Sequence, residues 1–174
     1  MSKIHNVEIK AKCSKPDQAL KILVNLNALD KGVDHQIDTY FNNDKGRLKL
    51  RQGNIENSLI FYQRENQAGP KSSQISLTRL ENNKAKTEEL KLVLTNAYGV
   101  FKVVDKKRHI LFIDNCKFHI DEVKGLGSFI EIEVIDETCR LSIEELQEKC
   151  EKFINILKIS KQDFITVSYS DLIE

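Results

Sequence analysis

The chain has 174 residues, with 27 Lys and Arg against 26 Asp and Glu, four Cys, seven Gly, two Pro and no Trp. That length is enough for one domain that buries a core without disulfide or metal staples, and a hydrophobic fraction of 40% with nearly cancelling charges excludes a disordered chain. A formal net charge of +1 argues against binding along an extended nucleic acid, and apolar runs no longer than four residues (Leu59 to Tyr62, Ile110 to Ile113) argue against a membrane span.

The opening MSKIHNVEIK holds no apolar signal core. Cys13, Cys116, Cys139 and Cys150 show no CxxC spacing and read as reduced thiols, buried or half-buried. The expectation is a single soluble, cytoplasmic domain.

Along the chain, Val7 to Lys12 alternates apolar and charged residues and predicts a strand. Ser14-Lys15-Pro16-Asp17 signals a helix start with a hydroxyl cap, after which Ala19, Leu20, Leu23 and Val24 share one apolar face. Lys31 to Phe41 is rich in strand formers, Asn42 to Gly46 is a turn, and Arg47 to Arg51 and Leu59 to Arg64 are further strands. Asn66 to Ser73, with Gly69-Pro70-Lys71, reads either as a lid that brings Lys71 to a ligand or as a solvated hairpin loop. Gln74 to Leu80 alternates again. Between Thr87 and Tyr98 the spacing of Leu90, Val93, Leu94 and Ala97 is helical, with Lys84, Lys86, Glu88, Glu89 and Lys91 on a wet face.

Phe101 to Phe112, Lys117 to Asp121 and Phe129 to Val134 read as strands, the last two separated by a turn at Lys124-Gly125-Leu126-Gly127. Ser142-Ile143-Glu144-Glu145 is a capping box, and Ile143, Leu146, Cys150, Phe153 and Leu157 form a narrow apolar stripe behind it. Short strands with interspersed one-sided helices predict an α+β domain built on a large antiparallel sheet or barrel, the helices covering its apolar face.

The opposite face of those strands is charged. Glu8, Lys10 and Lys12 share it on the first strand, Lys49 and Arg51 on the third, and Tyr62 and Arg64 on the fourth. Lys106 and Arg108, His119 and Asp121, and Glu131 and Glu133 follow. Charges facing water would be the ordinary outcome. With helices outside a curled sheet they instead line the inside, where seven basic residues against four acidic ones leave an excess of +3. Such an interior calls for an anionic ligand, phosphate chains before bases or sugars, with carboxylates near the cations suited to a hard ion such as Mg²⁺. His119 reads as a hydrogen-bonded structural residue, and Tyr62 as either a wall or a ring stacked on a base.

At these residues the chain resembles the CYTH superfamily, the triphosphate tunnel metalloenzymes, and its class IV adenylate cyclase-like branch. The family's E-x-E-x-K stands here as Asn6-Val7-Glu8-Ile9-Lys10, with Asn6 in place of the first Glu. Further matching stretches are Asp38 to Phe41, Gly46 to Arg51, Gln67 to Lys71, Val104 to Arg108, His119 to Glu133 and Ser168 to Leu172. The resemblance implies a closed eight-stranded antiparallel barrel enclosing a triphosphate. It implies Glu8, Asp121, Glu131 and Glu133 as ligands of Mg²⁺ or Mn²⁺. Lys10, Lys49, Arg51, Arg64, Lys106 and Arg108 would bind phosphates, joined by Lys12 from the charged face, and Glu8, Lys10 and Arg108 would carry the reaction. Asn6 departs from the pattern, because a neutral amide binds Mg²⁺ more weakly than a carboxylate.

The implied activity is metal-dependent work on a small-molecule triphosphate: cyclisation of ATP to cAMP and pyrophosphate, or hydrolysis of inorganic or thiamine triphosphate. A reading from another class is a non-catalytic polyphosphate- or nucleotide-binding module, motivated by Asn6. No membrane partner is expected, and a homodimer is left open.

Overall fold

The structure is a computed structural model that describes residues 5–63, 71–72, 74–138 and 140–174. In chain order the elements are β1 (His5–Lys12), α1 (Pro16–Asn25), β2 (Leu29–Phe41), β3 (Arg47–Gln52), β4 (Ser58–Gln63), β5 (Lys71–Ser72) and β6 (Gln74–Arg79). Then come α2 (Lys84–Tyr98), β7 (Val100–Ile113), β8 (Cys116–Val123), β9 (Gly127–Asp136), α3 (Ile143–Ile156) and, after a 3₁₀ turn at Lys161–Asp163, α4 (Tyr169–Leu172).

The strands form one antiparallel sheet in the order β5-β1-β9-β8-β7-β2-β3-β4-β6. Among the described residues no ladder joins its two ends, so the sheet is an open, strongly curled half-barrel and not the closed eight-stranded barrel expected. The reason is local. β1 takes the two-residue β5 as its outer partner and β4 takes β6, so β1 and β4 never pair with each other. One corner is still tied, because Ser72 ends β5 and Gln74 begins β6; two peptide steps span at most about 7.6 Å.

The convex face carries the main core. Val7, Ile9 and Ala11 of β1, Phe118 and Ile120 of β8, and Ile130, Ile132 and Val134 of β9 pack against Ala19 and Leu23 of α1 and Leu146, Cys150, Phe153 and Ile154 of α3. Phe118 and Phe153 meet edge to face, with ring centroids 4.8 Å apart. The capping box of α3 forms as expected, Ser142 Oγ accepting from Glu145 N and Glu145 accepting from Ser142 N. Ser14 does not cap α1: the N-cap is Lys15, without a side-chain bond, and Pro16 supplies the helical φ of the first turn. On α2, Leu90 and Leu94 pack on Phe41 and Leu50, while Val93 turns out to water.

A smaller cluster lies at one end of the concave face, where Tyr40, Val104, Val123 and Phe129 receive Tyr169 from α4. Cys13, Cys116 and Cys150 are free thiols, half-buried or buried as expected, and Cys139 lies outside the described residues. Among the described residues no helix is long and apolar enough to cross a membrane.

Candidate active site on the concave face

Strand alternation puts one side chain in two onto the concave face, and antiparallel register aligns those side chains in rows across the sheet. Lys10 on β1, Glu131 on β9 and His119 on β8 make one row; Glu8, Glu133 and Lys117 make the next. Arg108 on β7 stands opposite Asp121 on β8, and Arg51 on β3 opposite Asp38 on β2. Cations and carboxylates therefore meet across strands.

Two buried ion-pair centres result. In the first, Asp38 Oδ2 accepts from Lys106 Nζ at 2.7 Å, Lys49 Nζ at 2.9 Å and Arg51 Nη2 at 3.0 Å, while Oδ1 accepts from Arg51 Nε at 2.9 Å. In the second, the Arg108 guanidinium grips Asp121 through Nε at 2.7 Å and Nη2 at 2.5 Å, and Nη2 also reaches Glu131 at 2.6 Å. Lys10 Nζ binds the other Glu131 oxygen at 3.0 Å and lies 3.7 Å from the centroid of the Tyr169 ring. The Tyr169 hydroxyl donates to Asp121 Oδ2 at 2.7 Å. His119 Nδ1 is 3.0 Å from Glu131 Oε2 and 3.6 Å from Glu133 Oε1.

A third centre comes from the β3–β4 loop. Glu56 accepts from Arg51 Nη1 at 3.0 Å, Lys117 Nζ at 2.6 Å and Gln36 Nε2 at 3.2 Å. The loop is clasped by the buried Asp34, which accepts backbone N–H bonds from Asn54, Ile55 and Glu56 at 2.6, 2.8 and 2.9 Å. Gly53 lets the loop come this close, since a Cβ there would lie 2.6 Å from Asp34 Oδ2.

The electrostatics follow from this pairing. Burial alone would raise the Asp38 and Glu131 carboxyls, but Arg51, Lys106 and Lys49 around Asp38, and Arg108 and Lys10 around Glu131, hold both well below the ordinary carboxylate range. Burial drives Lys106 the other way, down to about 7, with Asp38 opposing and Arg51, Arg108 and Lys49 adding to the fall. Burial and the neighbouring Arg108 lower His119, which favours its neutral form.

The cations expected to stand uncompensated are paired instead. Within the three centres, Lys10, Lys49, Arg51, Lys106, Arg108 and Lys117 meet Asp38, Glu56, Asp121 and Glu131 in direct ion pairs, so these cations are matched by carboxylates of the same face. Lys12, at the rim of β1, is exposed and joins none of the three centres; Arg64 and Asn66 to Pro70 lie outside the described residues, and with them the lid reading. Lys71 and Ser72 form β5. Asp121, expected as a metal ligand, has its oxygens taken by Arg108 and Tyr169. Glu8 is half-buried opposite Glu133. Tyr62 is a buried wall near Lys49.

His119 is hydrogen-bonded as expected but has a further property: its Nδ1 and carboxylate oxygens of Glu131 and Glu133 all lie within 4.8 Å of one another, a spacing that one cation can bridge. Asp34, Lys117 and Glu56 were not singled out from the sequence, and Asp38 and Tyr169 stood only in stretches that resemble the family, with no role assigned. The row Asp34-x-Gln36-x-Asp38-x-Tyr40 carried a period-two signal, as did Lys117-x-His119-x-Asp121. Glu56 sits in a loop, where no periodicity exists to reveal it.

The chain is similar to known proteins in sequence and fold. A Methanocaldococcus jannaschii protein provisionally named an adenylate cyclase is 30% identical, over 95% of this chain and 97% of its own. A conserved hypothetical protein of Pyrococcus furiosus has a structure that superposes with a TM-score of 0.78 at 25% identity, covering 97% of this chain and 99% of that one. A Hippeastrum protein provisionally named an adenylyl cyclase, whose structure is described as revealing a dominant triphosphatase activity, shares the fold with a TM-score of 0.59 at 15% identity, over 96% of this chain and 93% of that one. The CYTH domain profile matches residues 5–169, nearly the whole sheet with its concave face, and the chain belongs to the CYTH domain family.

Proposed function

We propose that this protein is a divalent-metal-dependent enzyme acting on the triphosphate group of a small molecule, with cyclisation of ATP to cAMP and pyrophosphate as the first reading. The observation that carries it is the interleaving of buried cations and carboxylates over one concave face. A triphosphate with its metal presents the same alternation of sign, so it can exchange partners with this network: carboxylates turn to the metal, and lysines and arginines to the phosphates.

The donor set fits such a metal. Glu131, Glu133 and His119 offer atoms at bridging distance, and Asn6, which replaces a carboxylate, keeps a buried Oδ1 with no partner. Mg²⁺ or Mn²⁺ bound there supplies Lewis-acid neutralisation of the phosphate oxygens. Glu8 stands in register to complete the site. Arg51 and Arg108 can present planar forks to two phosphate oxygens, and Lys10, Lys49 and Lys106 act as point charges within a buried, low-dielectric setting. In cyclisation the ribose 3′-hydroxyl gives its proton to solvent as its oxygen bonds to the α-phosphorus, the bond from that phosphorus to the α–β bridging oxygen breaks, and pyrophosphate leaves towards these cations. The name of the Methanocaldococcus relative supports this reading. The activity described for the Hippeastrum protein supports a second, hydrolysis of the phosphoanhydride by water.

The test is a product assay with ATP, inorganic triphosphate and thiamine triphosphate, each with Mg²⁺ and with Mn²⁺. Release of cAMP with pyrophosphate from ATP is the expected result, and orthophosphate release would establish the hydrolytic reading. Tight binding of triphosphate without turnover of any substrate would overturn the enzyme and leave a binding module.

A further inference from the structure

Glu56 differs from the other carboxylates of the concave face, because it comes from a loop and not from a strand. Arg51 belongs to β3 and Lys117 to β8, with β2 and β7 between them in the sheet. Three strand spacings put those backbones about 14 Å apart along the sheet. One carboxylate nevertheless binds both side chains, at 3.0 and 2.6 Å, so Glu56 stands across the hollow of the half-barrel and not along its wall. It cannot easily swing away. Asp34 holds three consecutive backbone N–H groups of the loop, including that of Glu56 itself, and Gln36 bonds both carboxylates.

The opposite end of the hollow is filled by Tyr169 beside Tyr40. Tyr40 and Asp34 lie six residues apart on β2, about 20 Å. In register along β2 between these limits stand Lys49 opposite Tyr40, Arg51 opposite Asp38, Lys106 opposite Gln36 and Arg108 opposite Asp34, and the Arg51 guanidinium reaches on to Glu56. A phosphate chain that advances past Lys49 to Arg51 therefore meets Glu56 before it can reach Lys117.

We propose that Glu56 is a chain-length stop: a fixed anion, positioned by Asp34, that lets a triphosphate occupy the cations up to Arg51 and rejects a fourth phosphate. The inference rests on the triphosphate reading above. It adds a specificity-determining residue and names the excluded class, linear polyphosphates longer than three units. Its physical content is like-charge repulsion. A fourth phosphate would face the carboxylate within a few ångströms, where low-dielectric surroundings make the repulsion worth a factor of about ten or more in affinity. Lys117 is not free to compensate, since Glu56 already holds it.

Calorimetric titration of inorganic tripolyphosphate and tetrapolyphosphate with Mg²⁺ tests this, on wild type, Glu56→Gln and Lys117→Met, with circular dichroism confirming each fold. Wild type should bind the triphosphate about tenfold or more tighter than the tetraphosphate. E56Q removes the charge but keeps the shape, and should shrink that ratio about tenfold, chiefly by tighter tetraphosphate binding. K117M leaves the carboxylate with one cation fewer, and should widen the ratio. A ratio unchanged in E56Q, or narrowed in K117M, overturns the stop, and the second variant decides the matter if E56Q does not fold. Wild type that binds neither polyphosphate overturns the triphosphate reading itself, and the stop falls with it.

Discussion

Asp38→Asn is the substitution that probes the ion-pair network most directly. It is nearly isosteric and removes one negative charge from the meeting point of Lys49, Arg51 and Lys106, all within 3.0 Å of a carboxylate that is 1% exposed. Breaking a buried ion pair by removing one partner costs about 3–5 kcal/mol. For a domain of this size each kcal/mol shifts the melting temperature by about 2–4 °C, so the variant should melt about 6–20 °C below wild type. Lys106, already down to about 7, can shed its proton and relieve part of that loss, which puts the smaller fall at pH 8 and the larger at pH 6. The same change leaves Lys49, Arg51 and Lys106 without their shared anion, so an anion that replaces the carboxylate should bind better, by about tenfold. The assay is thermal unfolding at both pH values, with and without inorganic tripolyphosphate. D38N should be less stable alone and should gain more from tripolyphosphate than wild type gains. A variant that melts within about 2 °C of wild type, or that gains no more from the anion, refutes the idea that Asp38 holds the place of a phosphate.

The gap between D38N and wild type should also close on acidification: the native Asp38 carboxyl lies below its ordinary value, so its contribution is complete above about pH 4 and lost as the pH falls through the native pKa, a trend that unfolding between pH 2 and 6 would record. Anion binding should recharge Lys106, so tripolyphosphate titrated at pH 8 in buffers of different ionisation enthalpy should show uptake of up to one proton, shrinking towards pH 6; no buffer dependence at pH 8 would contradict this. Glu131→Gln should lower metal-dependent turnover about a hundredfold or more, because it removes a ligand oxygen charge beside His119 and Glu133; unchanged rates in both Mg²⁺ and Mn²⁺ would sink the metal assignment.

Alternation in the chain alone was enough to tell which face of β1, β3, β7 and β9 is charged. Lys10, Lys49, Lys106, Arg108, Glu131 and Glu133 lie on the concave face because side chains on a strand alternate with period two, a property of the backbone that needs no partner. The capping box of α3 was legible for the same reason, since its bonds span only three residues. What sequence could not supply was which charges cancel. Asp38 and Arg51 are 13 residues apart in the chain and Lys106 is a further 55 beyond Arg51, yet one carboxylate joins all three, and only strand register decides that. The predicted cations turned out to be paired because β2 adds Asp38 and a loop adds Glu56, whose place follows from a clasp on Asp34 that no local pattern encodes. The open edge of the half-barrel was likewise decided by pairing: β1 by its alternation and β4 by its strand-forming residues each read as a strand, but hydrogen bonds go to the partner that the chain brings alongside, and that partner was β5 for one and β6 for the other.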